Sequence, residues 1–331
     1  MPTRDAPLRV VFFGTPEFAL PSLRALVAHP EIQLEAVVTQ PDRPRGRGQQ
    51  ISTSAVKDFS LDAGIYLYQP EKIRDETVVT FFKRMNPDAV IIIAYGQKIP
   101  QSLLEIPRLG WINLHGSLLP KYRGAAPINW AIANGETRTG VTTMQVDATM
   151  DTGPILLRHE IEIGPDETAP ELARRMAEAG APLVIDSLLR FDRGEISPRP
   201  QDNALASSAP MLKKEFGNLD WSLPAAQLYN RIRGFDPWPG AYTYFRGQMC
   251  RVWGRPANRD AQQQLLQPIA APGSFQLGGG ELYAACGEST WLRVETIQLE
   301  GKKRITAREF ANGVRLAPDD KFVHEVTARP A

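Results

Sequence analysis

The sequence is poor in cysteine and histidine, and it has no long hydrophobic run. Only Cys250 and Cys286 occur among 331 residues, so we expect reduced thiols in a cytoplasmic protein and not a disulfide framework. The four histidines do not cluster with cysteines, which argues against a structural zinc site. No apolar run reaches the length of a membrane span, and the N-terminal residues lack the apolar core of a secretory signal, so we expect neither membrane insertion nor export.

The composition that remains is typical of a soluble globular protein with room for two domains, because 43% of the residues are hydrophobic and 23% are charged. The net charge of +1 is unevenly spread: the part after Lys213 is mildly basic and the part before it mildly acidic. A basic C-terminal part is compatible with a polyanionic partner. Chance variation over a solvated surface explains the same charge equally well.

Short apolar runs alternate with helical patterns in the first part of the chain, which predicts a mostly parallel, doubly wound α/β sheet. The predicted strands are residues 9–13, 34–38, 89–94, 111–115, 140–147 and 154–163, and residues 168–191 form a long helical pattern. We predict a first domain over residues 1–193, a linker rich in proline and serine over 194–212, and a second domain over 213–331. Short strand-like runs between glycine- and proline-containing turns predict a small β-barrel or sandwich there.

Two polar side chains interrupt the apolar strand at 111–115. Asn113 and His115 are two residues apart, so both leave the same face of the strand, close to its C-terminal end, where open α/β enzymes place their chemistry. An amide donor and an imidazole are suited to stabilise and protonate a developing oxyanion. Asp151, in a turn between two later strands, is a candidate to orient the imidazole. A satisfied core histidine and a simple Asx turn at Asp151 explain the same residues.

The segment 41–48 has arginine at alternate positions among prolines and glycines. Arginine forks bind phosphate well, while proline and glycine prevent a helix. The pattern fits a cationic loop that orders on an RNA end. A solvated surface loop fits it as well.

Residues 113–128 together with Asp151-Thr152-Gly153-Pro154 resemble the signature of 10-formyltetrahydrofolate-dependent formyltransferases. The resemblance extends over nearly the whole chain in the subfamily that formylates methionyl-tRNA, through residues 13–19, 39–48 and 232–241. It implies a formyltransferase-type, Rossmann-like catalytic domain and a C-terminal OB-like barrel that binds tRNA. The implied reaction transfers the formyl group of 10-formyltetrahydrofolate to the α-amino group of methionyl-initiator tRNA for translation initiation, without a metal.

The same resemblance implies the residue roles. Asn113, His115 and Asp151 are the implied catalytic residues. The implied folate-binding residues are Ile92, Ala94, Tyr95, Gly96, Ser117, Leu118, Leu119, Pro120, Val146, Asp147 and Met150. The implied tRNA-binding residues are Arg43, Arg45, Arg47, Lys121 and Arg123. We expect a cytoplasmic monomer.

Further RNA contacts are expected from basic residues of the C-terminal domain, namely Arg246, Arg251, Arg255 and the run Lys302-Lys303-Arg304. We expect Trp221, Trp238, Trp253 and Trp291 to lie in the core and not to stack on bases.

Three other functions compete with this hypothesis. A nicotinamide-dependent oxidoreductase is disfavoured because residues 14–19 lack the G-x-G-x-x-G pattern that cradles a pyrophosphate. A non-catalytic RNA-binding protein would bind no folate. Another formyltransferase or hydrolase that uses 10-formyltetrahydrofolate, acting on a small-molecule amine or on water, is the nearest alternative, and the arginine loop at 42–48 is the feature that argues against it.

Overall fold

The computed structural model describes residues 6–45, 50–265 and 270–324. The chain divides into two compact units. Unit 1 comprises Met1–Pro127, Arg138–Glu162 and Glu171–Pro210, and unit 2 comprises Ile128–Thr137, Ile163–Pro170 and Met211–Ala331. The domain boundaries inferred from composition stay predictions, because compactness and independent folding are different properties.

The strands of unit 1 are β1 (Leu8–Gly14), β2 (Ile32–Val38), β3 (Arg43–Arg45), β4 (Gln50–Ser52), β5 (Leu67–Tyr68), β6 (Ala89–Ile93), β7 (Trp111–His115), β8 (Arg138–Gln145) and β9 (Ile155–Glu162). Seven of them form one sheet in the order β5-β2-β1-β6-β7-β8-β9, while β3 and β4 pair separately. The strands from β5 to β7 are parallel, and β8 and β9 are antiparallel to their neighbours. The predicted mostly parallel α/β sheet is confirmed.

Helices on the sheet explain why its central strands are apolar throughout, since a strand covered on both faces has no solvent side. They are α1 (Leu20–Ala28), α2 (Ala55–Asp62), α3 (Glu76–Met85), α4 (Gln101–Leu104) and α6 (Ala169–Asp192), whose first residues belong to unit 2, as does α5 (Pro127–Ala133) except for its first residue. The ring of Phe13 lies 4.9 Å from that of Tyr95 and 4.8 Å from that of Trp111, so aromatic packing fixes the ends of β1, β6 and β7 against one another.

Unit 2 is built on a second sheet. Its elements are α7 (Ala225–Gly234), β10 (Tyr242–Phe245), β11 (Gln248–Pro256), α8 (Arg259–Gln264), β12 (Phe275–Gly278), β13 (Glu281–Ala285), β14 (Trp291–Leu299), β15 (Ile305–Thr306), α9 (Ala307–Val314) and β16 (Phe322–Val323). The antiparallel order is β12-β13-β14-β11-β10-β16, with β15 paired to β14. Phe322 N donates to Gly273 O at 2.9 Å and Ser274 bridges Lys321, so the two edge strands meet and the sheet closes as a barrel.

Two short segments from the middle of the chain fold with α7 in unit 2. The Arg233 guanidinium, 7% exposed, donates to the carbonyl oxygens of Gly164 (3.2 Å) and Glu167 (3.0 Å) and to Asn230 Oδ1. Burial lowers the pKa of Arg233. Tyr229 donates to Asp166 Oδ1 at 2.6 Å. The barrel is therefore anchored by residues that precede it by more than 40 positions.

The aromatic and cysteine predictions have mixed outcomes. Trp221 and Trp291 are 2% and 4% exposed, as predicted for core residues. The prediction for Trp238 is wrong: it is 52% exposed, because it lies in the surface turn after α7. Trp253 is half-buried, with the Arg304 guanidinium 3.8 Å from its ring centroid.

Both cysteines are free and buried, and burial raises the pKa of each thiol to about 12. The two thiols are therefore protonated and unreactive at neutral pH.

Candidate functional site

Strand β7 delivers two polar side chains to one face of the sheet. Asn113 lies opposite Ile92 of β6, and His115 lies opposite Thr142 of β8. The intervening Leu114 faces α6, where a Cβ added at Gly180 would be 2.5 Å from its Cδ2. Strand alternation therefore places Asn113 and His115 together on the face away from α6.

His115 is held from two sides. It is 6% exposed, and its Nε2 lies 2.9 Å from Tyr122 O. A carbonyl oxygen only accepts, so Nε2 donates the hydrogen in this contact. Nδ1 lies 3.7 Å from Asp151 Oδ2, which is an ion-pair distance but too long for a good hydrogen bond. The ring therefore presents Nδ1 toward the carboxylate.

Asp151 occupies a tight turn between β8 and β9. Its φ of 54° is left-handed, which is unusual for a residue other than glycine and marks a turn held by its surroundings. Its Oδ2 accepts from Gly124 N at 2.8 Å, and its side chain is 16% exposed. Gly153, two residues later in the same turn, has no room for a side chain, because an added Cβ would be 1.8 Å from Gln145 O.

The Asn113 amide differs from these two groups. It is half-buried, and among the residues that the structure describes its side chain has no hydrogen-bond partner. Its donors are consequently available to a bound molecule. The structure thus brings together the three side chains that the sequence singled out, with one amide still open.

A cleft of about 370 Å³ lies at the amino-terminal end of β7, and Asn113, His115 and Asp151 are not among the residues that line it. It is lined by Gln101, Leu104, Glu105, Gly110, Trp111, Gln145, Val146, Asp147, Ala148 and Pro154. Trp111 lies two positions before Asn113 on the same face of β7, whereas Gln145, which pairs with Ile112, lies on the opposite face, so the cleft is lined from both faces of the sheet. Small-molecule sites are usually lined by apolar side chains with a few polar groups, as this cleft is. Val146 and Asp147 are the two predicted folate residues that line it.

The predicted folate-binding residues at the end of β6 and in the loop after it differ in exposure. Ala94 and Gly96 are exposed, with φ of 49° and 91°. Ile92 and Tyr95 are buried, and burial raises the pKa of Tyr95. The Tyr95 ring packs on Phe13, and Gln40 Nε2 donates to the Tyr95 carbonyl oxygen at 3.0 Å.

The turn after β7 is mostly interior. Ser117 is fully buried and donates to Lys121 O at 2.6 Å, and Leu119 N donates to Thr142 Oγ1 at 3.1 Å. Leu118 is half-buried and Pro120 is buried. These residues shape the turn, whereas Met150, on the opposite loop, is 73% exposed.

The arginine loop is partly outside the described residues, which exclude Arg47. Arg43 is exposed, and it begins β3, whose last residue is Arg45. Asp42, just before β3, pairs with Lys57 of α2, and this hydrogen bond lowers the pKa of Asp42. The start of the hairpin is therefore attached to the body of unit 1.

The remaining two predicted tRNA residues differ in exposure. Lys121 is exposed, whereas Arg123 is half-buried. The Arg123 guanidinium donates to Gln201 Oε1 at 2.7 and 3.0 Å and to Asn203 Oδ1 at 2.9 Å. Gln201 was not predicted as a site residue, because a polar residue in a proline- and serine-rich stretch has no periodicity that would reveal its partners.

The described ranges contain no group of three or more histidine, cysteine or acidic side chains placed to hold a metal. They also contain no helix whose length and apolarity would let it cross a bilayer.

Similarity to known proteins extends over most of the chain. The family described as formyl transferase matches residues 8–188, and the formyl transferase C-terminal domain matches residues 211–315. The chain is 48% identical to the methionyl-tRNA formyltransferase of Solibacter usitatus, over 95% of this chain and 98% of that one. It is 45% identical to that of Geobacter metallireducens, over 96% and 100%.

Solved structures share the fold. WlaRD, a sugar 3N-formyl transferase studied with dTDP and 5-N-formyl-THF, superposes with a TM-score of 0.63 at 18% identity, over 89% of this chain and 99% of that one. HypX from Aquifex aeolicus in complex with tetrahydrofolic acid gives 0.60 at 17% identity, and the 93% of this chain that matches covers 48% of HypX. At these identities the likeness concerns the fold alone.

Proposed function

The chain belongs to the formyl transferase family, and we propose that it transfers the formyl group of 10-formyltetrahydrofolate to the α-amino group of methionyl-initiator tRNA. The observation that carries the proposal is similarity to methionyl-tRNA formyltransferases over 95% of a chain in which His115 lies 3.7 Å from Asp151 and two residues from Asn113 on one strand face. We also propose that it acts as a monomer in the cytoplasm.

The cleft suits a folate-type donor. Leu104 and Val146 supply apolar surface for a flat ring, and Gln145 and Asp147 supply polar groups at its edge. We propose that these residues and the exposed backbone of Ala94 and Gly96 hold the donor. When bound, the donor supplies a formyl group attached to nitrogen.

The three converging side chains have distinct proposed roles. Asn113 donates a hydrogen bond to the formyl oxygen, since its amide has no partner within the described part of the chain. His115 uses Nε2 to hold Tyr122 O, so Nδ1 is the ring nitrogen left to exchange a proton as the amine loses one and the leaving nitrogen gains one. Asp151 fixes the direction of Nδ1. One C–N bond forms and one breaks, with no covalent link to the protein.

The proposed tRNA contacts are the arginine loop and Lys121. Arg43 and Lys121 are exposed and carry charges that attract phosphate. We propose that Arg45 and Arg47 act with them on the end of the tRNA.

The direct test is to incubate the protein with 10-formyltetrahydrofolate and charged initiator methionyl-tRNA and to measure formylmethionine after deacylation. We expect formylmethionyl-tRNA in an amount that depends on both substrates. Formylation of a small-molecule amine, or hydrolysis of the donor, without formylation of the tRNA would contradict the proposal.

A further inference from the structure

Residues 199–209 run beside the turn that follows β7. Arg123 N donates to Ser207 O at 2.8 Å, and Ala209 N donates to Arg123 O at 2.7 Å. Tyr122 N donates to Ser207 Oγ at 2.9 Å. Gly124, with φ of 123°, approaches so closely that an added Cβ would be 2.5 Å from Ala209 O. This segment therefore fixes the backbone of residues 122–124.

Gln201 joins that segment to the Asp151 turn. Its Nε2 donates to Asp151 O and to Gly153 O, each at 2.8 Å. Its Oε1 accepts from Arg123 Nε and Nη2. The amide thus uses both donors and both acceptor positions, so its orientation is determined by its partners.

The same turn also holds both titratable groups of the site. Tyr122 O accepts from His115, and Gly124 N donates to Asp151 Oδ2. Arg123 lies between these two backbone contacts. A shift of the turn would therefore move the imidazole and the carboxylate relative to each other.

We propose that Arg123 and Gln201 are positioning residues that set the His115–Asp151 geometry, and that Arg123 does not bind tRNA phosphate. The proposal rests on the proposed formyl transfer. Its geometric basis is that the guanidinium Nε and Nη2 are already committed to Gln201 and Asn203 in a half-buried site, so a bidentate phosphate contact would have to displace them. Misplacement of catalytic groups by about 1 Å lowers turnover by on the order of 10²-fold.

The test compares Gln201→Glu, Gln201→Leu and Arg123→Leu with the parent protein. Gln201→Glu keeps an acceptor for Arg123 and removes the two donors to the Asp151 turn. We expect kcat to fall by roughly 10–100-fold in all three variants, with KM for tRNA and its salt dependence unchanged. Because both residues act through one contact, their effects on kcat should not add. We expect the kcat of the double variant Arg123→Leu/Gln201→Leu to lie within about threefold of that of the slower single variant.

Two further variants show what loss of a tRNA contact and loss of an unrelated surface ion pair do to kcat and KM. Arg43→Ala, in the proposed tRNA loop, should raise KM for tRNA and reduce the salt slope of binding. Arg138→Met, on an exposed arginine that pairs with Glu160, should change neither constant. If Arg123→Leu behaves like Arg43→Ala, or if Gln201→Leu retains full kcat, the positioning role is overturned.

A second readout does not require activity. The Gly124 amide donates to Asp151 Oδ2, so its hydrogen exchange reports directly on the carboxylate position. We expect faster exchange at Gly124 in Gln201→Glu than in the parent, with the amides of β7 unchanged. Unchanged exchange at Gly124 would overturn the inference, whereas failure of the parent to formylate methionyl-tRNA would overturn the proposed function alone.

Discussion

At the scale of single residues, the site combines one open side chain with two constrained ones. Asn113 has no partner among the described residues, whereas His115 and Asp151 are held by Tyr122 O and Gly124 N. A group that lacks partners contributes little to folding, so its substitution should separate catalysis from stability.

We therefore expect Asn113→Ala to lower kcat by on the order of 10²–10³-fold, the usual effect of losing one oxyanion donor. The urea midpoint should stay close to that of the parent. Asn113→Asp, which keeps the size and removes the donors, should lose as much turnover. Steady-state formylation kinetics and urea titration check both statements, and retained turnover in Asn113→Asp would contradict a donor role.

Gly153 provides a test of the turn itself. The Cβ of Gly153→Ala would meet Gln145 O at 1.8 Å, so the backbone must shift, and we expect a loss of roughly 1–3 kcal/mol in the free energy of unfolding. Gly313→Ala is the matched control, because it lies inside α9 with nothing within 4 Å of an added Cβ. That change should be neutral or stabilising by up to about 1 kcal/mol. Equal urea midpoints for the two variants would refute the steric argument.

At this scale, the site residues with a local sequence signal were predictable. Asn113 and His115 were visible as polar interruptions of an apolar strand, and Asp151 as part of a turn. Gln201 was not, because its partners lie 78 and 50 positions away at Arg123 and Asp151. The burial of the Tyr95 ring was also missed, since a strand pattern does not show which side a residue takes once the strand has ended.

At the scale of elements, the strongly apolar strands were predicted closely: β7 at both ends, and β1 and β6 to within one residue of each end. β5, with only two residues, offers no period to detect. The antiparallel direction of β9 follows from its short connection to β8, which is too short for a crossover helix. Closure of the barrel could not be predicted, because it depends on contacts between distant residues, Phe322 with Gly273 and Lys321 with Ser274.

The Asp42–Lys57 pair, which attaches the β3–β4 hairpin to α2, should make the stability of the folded chain depend on pH. The hydrogen bond from Lys57 lowers the pKa of Asp42, so the ionised carboxylate stabilises the folded chain at all pH values above the ordinary aspartate pKa of 3.8. As the pH falls below that value and through the lower pKa that Asp42 has in the folded state, this stabilisation is lost. Asp42→Asn should therefore cost roughly 0.2–1 kcal/mol at pH 6. The cost should vanish below the folded pKa.

Urea midpoints of Asp42→Asn and the parent between pH 6 and pH 2.5 measure this difference. Asp62→Asn, at the exposed end of α2, is the control and should show no comparable loss at pH 6. A cost for Asp42→Asn that stays constant across the whole range would mean that the Lys57 pair does not stabilise the fold.

At the scale of the whole molecule, the compact units do not follow the order of the chain. Unit 2 takes in Ile128–Thr137 and Ile163–Pro170, which composition assigned to the first domain. The family match for the C-terminal domain begins at residue 211 and omits both segments. A fragment cut there would leave the buried Arg233 without Gly164 O and Glu167 O.

We expect residues 211–331 expressed alone to unfold at lower urea than unit 2 does in the full chain, because a buried cation without its acceptors is costly. Arg233→Met should cost about 1–3 kcal/mol in the full chain. The same change should be nearly neutral in the fragment, where the acceptors are already gone. A fragment as stable as the full chain would show that these contacts are dispensable.

The position of residues 199–209 beside the turn after β7 has a consequence for biosynthesis. Every strand of the first sheet has been synthesised once residue 162 is complete, yet the partners of residues 122–126 arrive only with Ser207 and Ala209. A ribosome must therefore extend the nascent polypeptide almost fifty residues past the last strand before the imidazole and the carboxylate can settle into their final arrangement.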